Sequence, residues 1–142
     1  MKFTRDQITF AAAEVERQLA SETEVPWFLA GMEIAINSGM NYPTMDLILD
    51  IWAEVQNQNI GRFRNTPVTF ASGGSSANHE EIHRLVTNLI AHGDVLSPKE
   101  WVREFVWIHP FFDGNGRMGA ILFNLLNGTL DNPLPLPKMD FS

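Results

Sequence analysis

Apolar positions recur at helical spacing along most of the chain. Ile8, Ala11, Ala12 and Val15 share one face of a segment from about Thr4 to Ala20, with Thr4 as N-cap and Gln7 placed to complete a capping box. A second helix is predicted across Pro26 to Asn37, stopped by Ser38-Gly39. Pro43-Thr44 opens a third, whose stripe is Leu47, Ile48, Ile51, Trp52 and Val55, with Gly61 as its stop. The pattern then changes from Arg62 to Asn78. Pro67-Val68-Thr69-Phe70 is short and β-branched, and the turn-rich Ala71-Ser72-Gly73-Gly74-Ser75-Ser76 follows. That combination predicts a short exposed β-hairpin or flap. Helix resumes after Asn78, read as a cap with Glu81 completing its box, and buries Ile82, Leu85, Val86 and Leu89. Ser97-Pro98-Lys99-Glu100 starts another helix, carrying Trp101 to Trp107. The last helix runs from about Gly116 to Leu126, and Asn127-Gly128 stops it. Pro133, Pro135 and Pro137 block regular structure in the tail, which reads as an untethered terminus. The expected architecture is all-α with one small β excursion.

Composition narrows the classes. The chain has 142 residues, 44% of them apolar, enough for the core of a single domain. Ten basic against 17 acidic residues leave a net charge of −7, and the isoelectric point is near 4.9. That balance argues against a general nucleic-acid binder, which needs Lys and Arg against phosphates. A local site for one phosphate-bearing ligand is compatible with it. The absence of cysteine excludes disulfides, thiolate zinc sites and cysteine nucleophiles. The apolar run near the N-terminus is too short for a signal peptide, and no run reaches the length of a membrane span. The expectation is a cytoplasmic protein with no membrane partner, a secreted-effector route being left open.

The densest chemistry lies in His109-Pro110-Phe111-Phe112-Asp113-Gly114-Asn115-Gly116-Arg117. Gly114 and Gly116 flank Asn115 where a helix begins. Glycine permits the backbone geometry that turns successive N–H groups inward, and a helix N-terminus adds unpaired donors and partial positive charge. Together they form a nest for an anion such as phosphate. Arg117 in the first turn opposes the helix dipole, which makes sense if it holds a negative ligand. Asp113 is a hard oxygen donor beside the nest, and magnesium usually reaches a protein through one carboxylate plus substrate phosphates. His109 is the nearby group that can accept a proton near neutral pH. Gly-Asn-Gly alone is also an ordinary turn; the whole string carries the reading.

That string resembles the signature of the Fic family, His-x-Phe-x-Asp/Glu-Gly-Asn-Gly-Arg-x-x-Arg, and matches every defined position from His109 to Arg117. Phe63-Arg64-Asn65-Thr66-Pro67-Val68 is similar to the family's aromatic-Arg-x-x-x-Val lead-in to its flap. The likeness spans about residues 45–128 of a single domain, 1–142, leaving a Pro-rich tail at 129–142. The resemblance implies a helical bundle with a β-hairpin flap over the active loop. It implies transfer of AMP from ATP to a Tyr, Ser or Thr hydroxyl of a target protein, with magnesium as cofactor. His109 would be the base and Asp113 the metal ligand. Gly114, Asn115 and Gly116 would form the anion hole, and Arg117 would grip the β-phosphate region. Phe111 would anchor the loop, and the flap residues Val68, Thr69, Phe70, Ala71 and Ser72 would dock the target by strand addition.

The family's second arginine falls at Ala120. Three consequences stay open: replacement by Arg62, Arg64 or Arg103, a different phosphate-containing donor, or a catalytically weakened interaction protein. The family's inhibitory pattern, Ser/Thr-x-x-x-Glu-Gly/Asn, finds no match, which leaves restraint to a separate antitoxin-like protein or to none. His79-Glu80-Glu81-Ile82-His83 satisfies the His-Glu-x-x-His zinc pattern and makes zinc hydrolase the remote alternative, against a solvated helix face. Trp27, Trp52, Trp101 and Trp107 read as core, His92 as a helix-end charge, and Met118 as core or pocket lining.

Overall fold

The computed structural model describes residues 2–70 and 76–139. Among them the α-helices are α1 (Arg5–Arg17), α2 (Val25–Asn37), α3 (Met45–Val55), α4 (Ile82–His92), α5 (Pro98–Ile108) and α6 (Asn115–Asn127). Single 3-10 turns at Glu22–Glu24, His79–Glu81 and Gly93–Val95 join them. The helix starts follow local chemistry. Thr4 accepts from the Gln7 N–H at 3.1 Å while the Gln7 side chain accepts from the Thr4 N–H at 2.8 Å, and Ser97 and Glu100 form the same reciprocal pair. Asn78 caps only the 3-10 turn, through the Glu80 N–H, so the box expected with Glu81 is not made.

α6 is the axis of the molecule. From Met118 to Leu125 every residue is buried, as expected of a helix that is apolar on all sides. α1, α2, α3 and α5 pack around it. Burying a side chain such as Ile121 or Leu122 stabilises by about 1.5–3 kcal/mol, and truncating Ile121 to Ala would cost about 2–5 kcal/mol. The Trp52 ring stacks on Phe111 at 4.8 Å, which ties α3 to the loop ahead of α6. Trp52 and Trp101 are core residues as expected; Trp107 is 38% exposed and is not.

Two helices end earlier than their composition predicts. α1 stops at Arg17 because Leu19 takes a left-handed conformation and the Ala20 N–H reaches back to the Val15 carbonyl. α3 stops at Val55, well before Gly61, because Asn57 does the same and the Gln58 N–H bonds the Ala53 carbonyl. Their C-caps are Gln18 and Gln56.

The expected hairpin is absent: among the described residues there is no strand, and Thr69 makes a single isolated bridge. Ala71 and Ser72 lie outside the described residues. The physical reason is visible in the hydrogen bonds. The Thr66 carbonyl is taken by Arg64 and the Val68 carbonyl by the Ser76 hydroxyl, so side chains replace the cross-strand partners of a ladder. The proline-rich tail is strapped down, not loose. Asn124 bonds both the N–H and the carbonyl of Leu134, the buried Glu14 accepts from the Leu136 N–H, and Arg17 donates to the Leu136 carbonyl.

Candidate active site

The site forms where the C-terminus of α5 meets the N-terminus of α6. His109 is the C-cap of α5, with φ 54° and ψ 60°, and its N–H bonds the Phe105 carbonyl. A non-glycine residue in this left-handed region costs about 1 kcal/mol or more and needs outside support. Pro110 follows and prevents the helix from continuing. The His109 ring is half-buried, with the Phe70 ring edge-on at 5.4 Å. Its Nδ1 is buried with no hydrogen-bond partner. Burial holds the imidazole below its ordinary pKa of 6.5; the Arg64 charge acts in the same sense, while the Val106 carbonyl and Asp113 oppose it. The fold thus biases the His109 imidazole toward its neutral form.

The Asn115 side chain works within the loop. It is buried, accepts from the Phe111 N–H at 3.0 Å and donates to the Phe111 carbonyl at 2.7 Å. The amide thus closes the loop on itself and only its backbone N–H is left for a ligand. Trp52 Nε1 donates to the Asp113 carbonyl at 2.9 Å. Gly114 adopts φ 82°, and its N–H is taken by Asp113 Oδ1 at 2.8 Å. The amides of residues 115–117 open α6 and have no intrahelical acceptor. Arg117 is only 4% exposed; it pairs with Glu24, and with Asp113 Oδ1 at 3.3 Å. Asp113 itself is exposed. These residues, with Gln18 and Phe112, line a cavity of about 190 Å³. The larger cavities lie elsewhere, against the tail and beside α1 and α3; none of them holds the convergent amides and charges that chemistry on an anion needs.

The structure thus brings His109, Asp113, Gly114, Asn115, Gly116 and Arg117 together. Of the expected flap residues, Phe70 reaches His109, and Ala71 and Ser72 lie outside the described residues. Sequence reasoning missed Gln18, Gln56 and Glu24. A Cβ on Gly116 would come within 2.0 Å of Gln18 Oε1, and one on Gly114 within 2.6 Å of Gln56 Nε2. The two C-cap glutamine side chains thus end against the two glycines, and Gly114, at φ 82°, would be strained by any side chain. Glu24 completes a Ser21–Glu24 capping box before α2. That Ser-x-x-Glu pattern was readable; its pairing with Arg117 across the chain was not.

Ala120 is fully buried. Arg64 cannot stand in for an arginine there, because its guanidinium is fully engaged with the backbone around His109. His79 sits in a 3-10 turn and His83 in α4, so the pair does not share one α-helix. Among the described residues no three His, Asp or Glu are grouped to hold a metal, which leaves the zinc-hydrolase alternative without a third ligand. No helix among them is long and apolar enough to cross a membrane.

Comparison with known proteins agrees with this geometry. The model of the Fic/DOC family matches residues 42–126. A Fido domain-containing protein of Dictyostelium discoideum is 61% identical over 33 residues, which is 23% of each chain. The crystal structure of a Fic domain-containing signaling protein from Bacteroides thetaiotaomicron superposes with a TM-score of 0.59 at 25% identity, over 72% of this chain and 46% of the other. Fic-1 from C. elegans (residues 134–508) gives 0.70 at 19% identity, over 94% and 51%. The chain spans under a quarter of the Dictyostelium relative and about half of each solved structure.

Proposed function

The chain belongs to the Fic/DOC family, whose members are generally transferases, and from that premise we propose that it is a protein adenylyltransferase moving AMP from ATP to a Tyr, Ser or Thr hydroxyl of a target protein. The carrying observation is the placement of the His109 imidazole at the rim of a cavity floored by the α6 amides and Arg117. His109 accepts the proton of the incoming hydroxyl. Its oxygen bonds to the α-phosphorus as the bond to the β-phosphate oxygen breaks, and pyrophosphate leaves. The amides of residues 115–117 and the Arg117 guanidinium carry the charge that develops on the phosphate oxygens, so positioning and electrostatics do most of the work.

Asp113 fits magnesium: it is an exposed carboxylate beside the nest, a single hard donor of the kind magnesium uses together with substrate phosphates. When bound, the ion would supply charge neutralisation on the phosphates. The cavity of about 190 Å³ is smaller than the ~300–1,000 Å³ of ordinary ligand pockets. Glu24 supplies the anion that Arg117 holds, a contact that restrains the site from within the chain, beside any separate inhibitory protein. The buried Ala120 favours a second reading, in which the donor is another phosphate-containing group and no arginine is needed at that position.

The test is incubation with magnesium, a cell lysate and nucleotide labelled at either the α or the γ position. Transfer from α-labelled ATP alone, lost in His109→Ala, supports the reading. Equal labelling by both forms overturns it.

A further inference from the structure

Arg64 lies between α3 and the 3-10 turn at His79, outside any helix or strand, yet it is only 5% exposed. Its partners are backbone carbonyls and one hydroxyl. Nε donates to the His109 carbonyl at 2.6 Å, Nη1 to Thr66 at 2.7 Å, and Nη2 to Ala77 at 2.6 Å, to Ile108 at 3.3 Å and to the Ser76 hydroxyl at 3.1 Å. Its own N–H adds the Pro110 carbonyl at 2.9 Å. One residue thus gathers the carbonyls of 108, 109 and 110, which the end of α5 leaves without intrahelical donors. A cation at a helix C-terminus is favourable. The planar fork of arginine can serve several carbonyls at once, which the point charge of lysine cannot.

We propose that Arg64 is a positioning residue for His109: by clamping three successive carbonyls it holds His109 in its left-handed conformation and fixes the imidazole at the mouth of the cavity. The inference rests on the reading of His109 as the base. It assigns to the Phe-Arg pair ahead of the flap a task at the reacting end of the site. The same residue bonds Thr66, Ser76 and Ala77, so displacement of those three residues and of the imidazole are mechanically linked.

The experiment uses the full chain and two readouts. The first is the ring resonances of the four histidines, with His109 assigned by its loss in His109→Gln and displaced by the edge-on Phe70 ring. In Arg64→Lys, the His109 signal is expected to move to the position of the exposed histidines, while the Trp52 and Trp101 indole signals stay. The second is kinetics: kcat is expected to fall on the order of 10²-fold with KM nearly unchanged, because the base is misplaced and the nest is not. Ser76→Ala, which keeps the carbonyl clamp, should change neither readout. Unmoved His109 signals in a folded Arg64→Lys overturn the proposal, as does a loss carried wholly by KM. If that variant fails to fold, the wild type decides. Its Arg64 Nε–H must be protected from exchange and show a cross-peak to His109; a rapidly exchanging Nε–H refutes the clamp. A displaced His109 signal in a protein that transfers no nucleotide upholds the positioning role and rejects the transferase reading.

Discussion

Between Ile108 and Phe111 the loop is fastened through its neutral backbone groups: three carbonyls accept from Arg64, and Phe111 donates its N–H to Asn115 and accepts from it at its carbonyl. Between Asp113 and Arg117 it is fastened by charge: Asp113 on the Gly114 amide, and Arg117 on Glu24 and Asp113. The difference decides what each half can do. An incoming phosphate in the cavity meets Arg117, which lines it, and not Arg64, which does not. It can compete for an arginine held by a partly exposed carboxylate, because it offers the same kind of charged hydrogen bond. The first half sets the geometry of the base, and the second half exchanges an internal anion for a ligand.

The largest effect belongs to the first half. His109→Ala is expected to lower α-label transfer by about 10²–10⁴-fold, with the melting temperature read beside it to show that the variant folds. Asn115→Leu comes next. It strands the Phe111 N–H and carbonyl in the core, at about 1–3 kcal/mol for each group, read as a shift in the denaturant midpoint. If that midpoint does not move, the loop is not closed by Asn115.

In the second half, two substitutions should move nucleotide affinity in opposite directions. Arg117→Gln removes a charged hydrogen bond to the ligand worth about 1.5–3 kcal/mol, or roughly ten- to a hundredfold in Kd by calorimetry. Glu24→Gln frees Arg117 and should tighten Kd by up to about tenfold. A weaker Kd in Glu24→Gln would make Glu24 a support of the site and not its occupant.

The smallest effect is in pH. The folded chain disfavours the His109 imidazolium, so the unfolded chain takes up the proton first as pH falls through the ordinary value of 6.5. Stability contributed by this group is therefore present above 6.5 and declines as pH drops below it. The decline should vanish in His109→Gln, and the acid limb of activity should lie below 6.5.

How much of this could be read from the chain depends on the range of each interaction. The Thr4–Gln7 and Ser97–Glu100 boxes were legible because both partners lie within one turn. The nest was legible because Gly114 to Arg117 are contiguous. The failures have a different physics. Leu19 and Asn57 end helices by left-handed turns that composition placed later. The Arg64 cage, the Glu24–Arg117 pair and the Glu14–Leu136 strap join residues far apart in sequence, and an arginine bonded to carbonyls leaves no partner side chain to find. The hairpin was misread because Val68-Thr69-Phe70 has β propensity, whereas Arg64 and Ser76 had already taken the carbonyls.

The most direct measurement is an amide NMR titration of the full chain with magnesium and ATP. The expected result is shifts confined to residues 113–117, Gln18 and Glu24, with the Arg64 and Phe111 amides unmoved. Shifts centred on another cavity, or none at saturating nucleotide, would contradict the assignment of this loop as a phosphate cradle.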